Sequence, residues 1–288
     1  MATNTNAAII AAADAVVHAH ADALAPLTAV GRRTVENPPA VEDALTAALH
    51  LIAAKPALDH AVTDLLRVLI DSGISSTKLA RLMSIRHSSL TTRLDAPAPS
   101  APAVPELHYG MFKPKDKVSV RAARESLITA ARDLGLVYAA ALRPVSTVSQ
   151  GTVPEAATVD AALEAVLHLH GSRAALDAAL DPILACLVLG GVRRMSLAEA
   201  LGVHATTLQR RLAGQPLAHA RWADLVENGD GTWSVTRAEV GKYKPTEELD
   251  KALVEAAVAE AITGAAEIAP TRDAREENVT VAESATGF

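Results

Sequence analysis

The chain has 288 residues, of which 50% are hydrophobic and only 2% aromatic, and it carries a net charge of −6. This length allows about two domains, and cores built from Ala, Leu, Val and Ile favour close-packed helices. The negative charge argues at first sight against a nucleic-acid partner. However, ten acidic and three basic residues lie after position 245, so residues 1–245 sum to +1, and local charge decides contact with phosphate.

Residue content also argues against several classes of protein. A single cysteine, Cys186, excludes an internal disulfide framework and fits a reducing cytosol. The first ten residues lack the basic start of a signal peptide, and no run reaches the ~18–20 unbroken apolar residues of a membrane span. The sequence shows no motif of a catalytic or cofactor site: we find no phosphate-binding loop, dinucleotide fingerprint, nucleophile elbow, zinc-spaced cluster or pair of carboxylates. We therefore expect a cytoplasmic protein that is not an enzyme, does not enter a membrane and requires no cofactor or metal.

The chain contains an internal repeat at a constant shift of 118 residues. Residues 41–94 align with residues 159–212 without a gap, and 19 of the 54 pairs are identical. Composition alone would give roughly 10% identity, so the match indicates a duplication. The same shift pairs Pro26 with Pro144. The function is therefore expected to use two copies of one unit.

Each copy predicts the same helices in the same order. Three longer helices are expected at 7–29, 40–54 and 57–71 in the first copy and at 121–142, 158–170 and 175–189 in the second. Two short helices follow, at 76–83 and 87–94 in the first copy and at 195–201 and 205–213 in the second. The opening helices are expected to end at Pro26 and Pro144, because proline lacks the N–H that a helix interior uses.

The segments outside the repeat differ from it in composition and in predicted structure. Residues 95–105 read as an extended Pro/Ala linker. Two β-prone runs within 222–240 flank a turn at 228–231 and predict a hairpin, the wing of a winged helix, with a small core of Trp222 and Trp233. A weaker hairpin pattern, the counterpart in the first copy, lies at 107–121. Residues 246–263 predict a last helix, and the acidic remainder is expected to be disordered.

The predicted fold is mainly all-α, with two tandem helix-turn-helix domains that are each a small helical bundle. The expected divisions are 1–94 for the first domain, 95–120 for the linker and basic segment, 121–240 for the second domain with its hairpin, 241–263 for a C-terminal helix and 264–288 for the acidic tail.

The segment 194–213 has the residue pattern of a helix-turn-helix. A small residue, Ala198, allows a second helix to cross closely, and Gly202 accepts a positive φ at the tight turn. Leu197, Leu208 and Leu212 would pin both helices to the helix at 175–189. The first copy repeats the pattern but has Ser84 in place of Gly202, a substitution that costs roughly 0.5–1 kcal/mol if φ is positive.

The stretch SLAEALGVHATTLQRRL resembles the helix-turn-helix DNA-binding superfamily, and most of all the C-terminal DNA-binding domains of serine recombinases and many phage and bacterial regulators. The resemblance covers about 20 residues per copy and implies sequence-specific binding to double-stranded DNA. No recombinase catalytic domain is visible, so only the binding half of that comparison transfers.

The second short helix of each copy would then lie in the major groove. Its outward residues and the neighbouring cations are the candidate contacts. In the second copy these are His204, Ala205, Thr206, Gln209 and Arg210, with Arg193, Arg194 and Arg211 for phosphate. In the first copy they are Arg86, His87, Ser88, Thr91, Thr92 and Arg93. In the basic segment they are Lys113, Lys115 and Lys117. Because the two sets differ, the copies would read different half-sites, or one would read bases while the other holds phosphates.

Tandem copies without two-fold symmetry predict a direct or composite DNA site rather than a palindrome. The leading hypothesis is a nucleoid-associated regulator, replication or partition factor, or architectural protein. The Ala- and Arg-rich composition suggests a high-G+C gene, as in actinobacteria and their phages. A protein-interaction scaffold built on helix-turn-helix folds is the alternative, with the acidic tail as a contact for a protein partner or as a mimic of DNA. A homodimer is compatible with either hypothesis.

Overall fold

The computed structural model describes residues 2–100, 103–151, 158–229 and 231–236. Within these residues 73% of the chain is helical and 4% is strand, which confirms the mainly all-α prediction. The predicted C-terminal helix at 241–263 and the acidic tail at 264–288 lie outside the described residues.

The helices of the two copies follow each other in the same order, although the single α2 of the first copy corresponds to three helices in the second. The first copy contains α1 (Ala2–Gly31), α2 (Val41–Asp71), α3 (Ser76–Leu82) and α4 (His87–Leu94). The second contains α5 (Lys117–Gln150), α6 (Val159–Gly171), α7 (Arg173–Ala179), α8 (Asp181–Leu189), α9 (Arg194–Ala200) and α10 (Ala205–Ala213). A short α11 (Pro216–His219) and two strands, β1 (Leu225–Glu227) and β2 (Trp233–Val235), follow. The shift of 118 carries both ends of α3 onto those of α9, and α2 onto the span from α6 to α8.

Proline does not end the long helices, contrary to prediction. α1 runs through Pro26 and α5 through Pro144. Pro56 likewise lies inside α2, which joins the two helices predicted for that stretch into one. Each proline removes one backbone hydrogen bond, but the residues beyond it, such as Leu27 and Val30, are buried in the core. Tertiary packing therefore offsets the local cost of the proline.

The two copies share one hydrophobic core. α1 packs against α2 of its own copy and against α5 of the other. Buried side chains of both copies belong to a single cluster, with Leu45 and Leu65 from the first and Leu127 and Leu184 from the second. Residues 1–236 pack as one compact unit. The boundaries at 94 and 121 therefore mark the repeat in the sequence, while the copies pack together.

Ion pairs between the copies are reciprocal. Lys55 pairs with Asp177, and their equivalents Arg173 and Asp59 form the other pair. A contact from i to j that is matched by one from j to i is the signature of a two-fold axis. The copies are therefore related by an approximate two-fold, which corrects the expectation that tandem copies lack one.

The pairing of α1 with α5 has the same symmetry. Arg132, in the middle of α5, donates from Nε to the carbonyl oxygen of Gly31 at the end of α1, at 2.7 Å. Tyr138, one and a half turns later, meets His20, which lies earlier in α1, with ring centroids 6.3 Å apart. The two helices therefore run antiparallel. His20 and Tyr138 are equivalent positions, so the approximate axis passes close to this pair.

The predicted hairpin after the second copy is present. β1 and β2 are antiparallel, with Leu225 opposite Val235 and Glu227 opposite Trp233. Trp233 Nε1 donates to Glu125 Oε2 at 2.7 Å, which fastens the hairpin to α5. The hairpin therefore packs on the opening helix of its own copy.

Two expectations around the hairpin are wrong. Residues 107–116 form no second hairpin: a 3₁₀ turn at Tyr109–Met111 is followed by a single bridge between Phe112 and Val192. Trp222 does not join a small core, because 64% of it is exposed.

Residues 5–31 of α1 are long and apolar enough to cross a membrane by length and composition alone. The core helix of a globular protein passes the same test. Here Ile9, Val16 and Leu27 of this helix are buried in the core. That the protein does not enter a membrane stays a prediction.

Candidate nucleic-acid interface

In the second copy, α9 and α10 are two short helices joined by a tight turn. Leu197, Leu208 and Leu212 are buried, as the pattern predicts. Gly202 in the turn has φ 62°, a conformation in which glycine avoids the steric cost that a Cβ would bring. The inner face of the pair is therefore anchored to the core, which leaves its outer face to solvent.

In the first copy, α3 and α4 adopt the same arrangement without the glycine. Leu79 and Leu90 are fully buried. Ser84 has φ 55°, and it is the one residue other than glycine with a positive φ in the described ranges. The turn geometry therefore comes from the packing of the two helices, and the serine carries the strain.

The outer face of α10 presents polar side chains to solvent. Thr206, Gln209 and Arg210 are exposed, as is His204 just before the helix, whereas Ala205 is half-buried. The side chains of Gln209 and Arg210 make no hydrogen bond or ion pair with any residue that the structure describes. Both side chains are therefore free to engage a partner.

The outer face of α4 is also exposed but is partly occupied by its own hydrogen bonds. The Thr91 and Thr92 hydroxyls donate to the carbonyl oxygens of His87 and Ser88, at 3.1 and 3.0 Å. His87 Nε2 lies 3.0 Å from the Ser76 hydroxyl oxygen. Two further predicted residues of this face, Arg86 and Ser88, are exposed. This surface differs in chemistry from that of α10.

Arg211 does not belong to the outer face, contrary to prediction. Its Nε donates to Asp181 Oδ1 at 2.7 Å, and its Nη2 donates to the carbonyl oxygen of Asp177 at 2.8 Å. Only 24% of the Arg211 side chain is exposed. Burial raises the pKa of Asp181, and the hydrogen bond from Arg211 opposes that rise. Arg211 therefore ties α10 to the core.

Its equivalent in the first copy, Arg93, also points inward. Arg93 Nε donates to the Thr63 hydroxyl at 2.8 Å, and its Nη2 donates to the carbonyl oxygen of Asp59 at 3.1 Å. Burial lowers the pKa of Arg93. Arg93 and Arg211 therefore do not lie on the outer faces where the sequence placed them, because each connects the end of its short helix to the helices beneath it. That they contact DNA stays a prediction.

A cluster of positive charge forms where residues 111–115 meet the start of α9. Lys113 N donates to the carbonyl oxygen of Gly191 at 2.9 Å, and Arg193 N donates to that of Met111 at 2.8 Å. Gly191 has φ 114°, and a Cβ there would lie 2.7 Å from Lys113 O, so only glycine permits this approach. We call the four cations brought together here the basic cluster: Lys113, Lys115, Arg193 and Arg194.

The basic cluster carries an excess of positive charge. The pKa of Lys115 is lowered, first by burial and then by repulsion from Lys113 and Arg194, with Asp116 opposing. Arg193 Nε also donates to the Phe112 carbonyl oxygen at 3.1 Å. An anion bound here would relieve the repulsion. Lys117 is exposed in the first turn of α5, and no interaction ties it to the cluster.

The first copy lacks the two arginines of the basic cluster. Ser75 and Ser76 occupy the positions of Arg193 and Arg194, and the Ser75 side chain caps α3 by accepting from Lys78 N. The basic cluster therefore belongs to the second copy. Sequence reasoning noted its two segments separately but did not bring them together, because their pairing depends on a contact across 80 residues.

Sequence reasoning missed the groups where the copies meet. His20 and Tyr138 lie there, together with Lys55 and Arg173. The sequence did contain a signal for these groups, because the shift of 118 pairs the cation Lys55 with the cation Arg173. Among the described residues, no group of three His, Cys, Asp or Glu side chains could hold a metal ion.

No protein-family model matches the chain, and searches of curated proteins and of solved structures gave no match. Function is therefore inferred from the geometry of the site.

Proposed function

We propose that this chain is a sequence-specific binder of double-stranded DNA that uses α4 and α10 as reading helices. The observation that carries the proposal is the pair Gln209 and Arg210, exposed and without a partner in the described part of the chain, on a helix whose inner face is anchored by Leu208 and Leu212. Glutamine can bind adenine through two hydrogen bonds, and arginine can bind guanine in the same way.

The basic cluster supports this proposal. In helix-turn-helix complexes the helix before the reading helix crosses the DNA backbone. Arg193 and Arg194 stand at the start of that helix, beside Lys113 and Lys115. Cations at this position would neutralise phosphates and fix the register of the protein on the duplex.

The approximate two-fold determines the kind of DNA site we propose. Two reading helices related by a two-fold meet inverted half-sites. The surfaces differ, with Thr91 and Thr92 in one copy against Gln209 and Arg210 in the other. We therefore expect an inverted site with unlike half-sites, in place of the direct or composite site expected from the sequence. A single chain would supply both halves, so the proposal needs no homodimer.

In a cell, such a protein would act in the cytoplasm at the nucleoid. A regulator, a replication or partition factor and an architectural protein all fit this proposal.

The test begins with selection of bound sequences from a random duplex pool. On the selected site, Gln209→Ala and Arg210→Ala should each weaken binding by about 1–3 kcal/mol and relax the base preference at one position. Arg193→Ala should weaken binding to all sequences and reduce the salt slope by about 1.

Arg32→Ala is the matched control, because Arg32 is an exposed arginine far along the chain from both reading helices. It should leave binding to the selected site unchanged. Wild-type affinity in all three test variants would count decisively against the proposal.

A second candidate is a scaffold that docks another protein. It is favoured by three large exposed side chains near the basic cluster and the hairpin: Tyr109 at 91%, Met195 at 70% and Trp222 at 64% exposure. Binding to DNA should weaken steeply as salt rises, because phosphate contacts release counterions. Docking through these apolar groups should change little with salt, so the two candidates separate in one titration.

A further inference from the structure

A pocket of about 180 Å³ lies between the two copies, beside their approximate two-fold. Its wall contains four pairs of equivalent residues: His20 and Tyr138, Lys55 and Arg173, Leu58 and Leu176, and Asp59 and Asp177. Apolar side chains, among them Leu58 and Leu176, fill the wall between these groups. A cavity of about 150 Å³ holds benzene, so the pocket has room for one aromatic ring with a small polar group.

The charged groups of the wall neutralise each other. Lys55 pairs with Asp177, and Arg173 pairs with Asp59. Each cation is thus matched by a carboxylate from the other copy. A charged ligand would have to displace one of these partners, whereas a neutral ligand would leave both pairs in place.

Two buried polar side chains of the wall lack a complete set of partners. Tyr138 is only 5% exposed, and its hydroxyl has no hydrogen-bond partner among the residues that the structure describes. Burial raises the pKa of Tyr138 to about 12, so the hydroxyl keeps its proton. His20 is also 5% exposed; its Nδ1 lies 2.8 Å from the carbonyl oxygen of Val16, which holds the ring proton on Nδ1. The Nε2 of His20 is therefore an acceptor without a donor.

A third group of the wall shows the same incomplete pairing. His170 Nε2 lies 3.1 Å from the Met83 carbonyl oxygen, and its Nδ1 is buried without a partner. Of the atoms described in this wall, only His170 Nδ1 is fully enclosed without a partner, and an atom in that state costs stability. The Tyr138 hydroxyl and His20 Nε2 keep some access to solvent, so a bound molecule would replace water as their hydrogen-bond partner.

We propose that the pocket is a binding site for a small neutral molecule with an apolar ring and one hydroxyl or N–H group, of the size of phenol or indole. The leucines would cover the ring. A hydroxyl group would donate to His20 Nε2 and accept from the Tyr138 hydroxyl, whereas an N–H group, which only donates, would make the first of these hydrogen bonds alone.

The site is connected to both short helix pairs. Asp59 accepts from Arg93 at the end of α4, and the Asp177 carbonyl oxygen accepts from Arg211 in α10. His170 contacts the carbonyl oxygen next to the strained Ser84 turn. An occupant that shifts these wall residues would shift the reading helices, so we also propose that occupancy changes DNA affinity. This second step rests on the proposed function.

The binding test uses phenol and indole as probes and toluene as the comparator without a polar hydrogen. The full chain is titrated while the aromatic NMR signals of His20 and Tyr138 are followed. Phenol should saturate these signals and bind about 3–10-fold more tightly than toluene, as one or two net hydrogen bonds would give. Benzoate, which has the same ring and a negative charge, should bind more weakly than phenol.

Tyr138→Phe keeps the ring and its packing, and it should reduce the preference for phenol over toluene, because only the hydrogen bond to His20 Nε2 remains. Tyr109→Phe is the matched control, because it removes a phenol hydroxyl 91% exposed and outside the pocket; it should change nothing. His20→Gln should also reduce the preference, which gives a second variant if the first packs poorly. The site is refuted if neither phenol nor indole saturates these signals, or if Tyr138→Phe retains the full preference.

The coupling test measures affinity for the selected DNA with and without saturating phenol. A change of at least about threefold supports the coupling. Saturation of the pocket at unchanged DNA affinity refutes the coupling alone. If the chain binds no DNA, the proposed function fails, while the NMR titration still decides whether the pocket is a site.

Discussion

Arg211 Nε donates to Asp181 Oδ1 at 2.7 Å, and this bond ties the end of α10 to the start of α8. Arg93 makes the equivalent connection through the Thr63 hydroxyl. The duplication has thus kept an arginine that fastens the second short helix to its scaffold, although its partner differs between the copies. Its neighbour Arg210 is exposed. Two consecutive arginines therefore have separate roles.

Arg211→Ala should lower the free energy of unfolding by about 1.5–3 kcal/mol, because it removes hydrogen bonds to a charged partner and leaves Asp181 buried without its cation. Urea unfolding followed by circular dichroism measures this. Arg210→Ala is the control in the same helix and should change stability by less than about 0.5 kcal/mol. Equal losses in the two variants would contradict the division of roles.

Ser84→Gly should stabilise the fold by roughly 0.5–1 kcal/mol, because glycine accepts the positive φ at this turn without the cost that a serine Cβ brings. The reciprocal change, Gly202→Ser, should destabilise by a similar amount. A Cβ at 202 would meet no atom within 4 Å, so the cost there is one of backbone conformation. Thermal melting of both variants checks the pair, and shifts of the same sign would refute the account.

His20 should make stability fall as the pH drops below about 6.5. Burial lowers the pKa of His20 in the folded chain. Above the unfolded pKa both states are neutral; below it the unfolded chain takes up a proton that the folded chain resists, so the free energy of unfolding decreases. His20→Gln should therefore flatten the pH dependence of the free energy of unfolding below about pH 6.5.

His18, on the same helix, provides a control, because its effect on the pH dependence of stability should have the opposite sign. A hydrogen bond to the Asp14 backbone, and then the Asp14 charge, raise the pKa of His18. The stability that His18 contributes is present below its pKa in the unfolded chain and is lost as the pH rises through its pKa in the folded chain. His18→Gln should thus alter the pH profile in the other direction. Identical profiles for the two variants would show that burial of His20 does not act as described.

Cys186 should be unreactive in the folded protein. It is 1% exposed, and burial raises the pKa of its thiol to about 12. Since the thiolate is the reactive form, a disulfide reagent at pH 8 should label Cys186 only as fast as the chain unfolds. An added cysteine at an exposed position, Ala213→Cys, should react at once under the same conditions. Prompt labelling of the wild-type chain would mean that the core around α8 opens readily.

The short helices were predictable because their signals are local. α4 and α10 have the bounds that the sequence predicts, and the positive φ at Gly202 follows from the residue pattern of the turn. The ends of the long helices were not predictable in this way. Pro26 and Pro56 are local signals for a helix end, but the core contacts beyond them override that preference.

By itself, the sequence determined that the chain consists of two copies of one helical unit, with a short helix pair at the end of each, because repeat and periodicity are properties of neighbouring residues. Only the tertiary structure decided that the copies meet around a two-fold with Lys55 and Arg173 paired to each other's carboxylates, that Arg93 and Arg211 turn inward, and that residues 113–115 join the start of α9. Each of these depends on contacts between residues tens of positions apart, and such contacts form only when apolar faces are buried against each other.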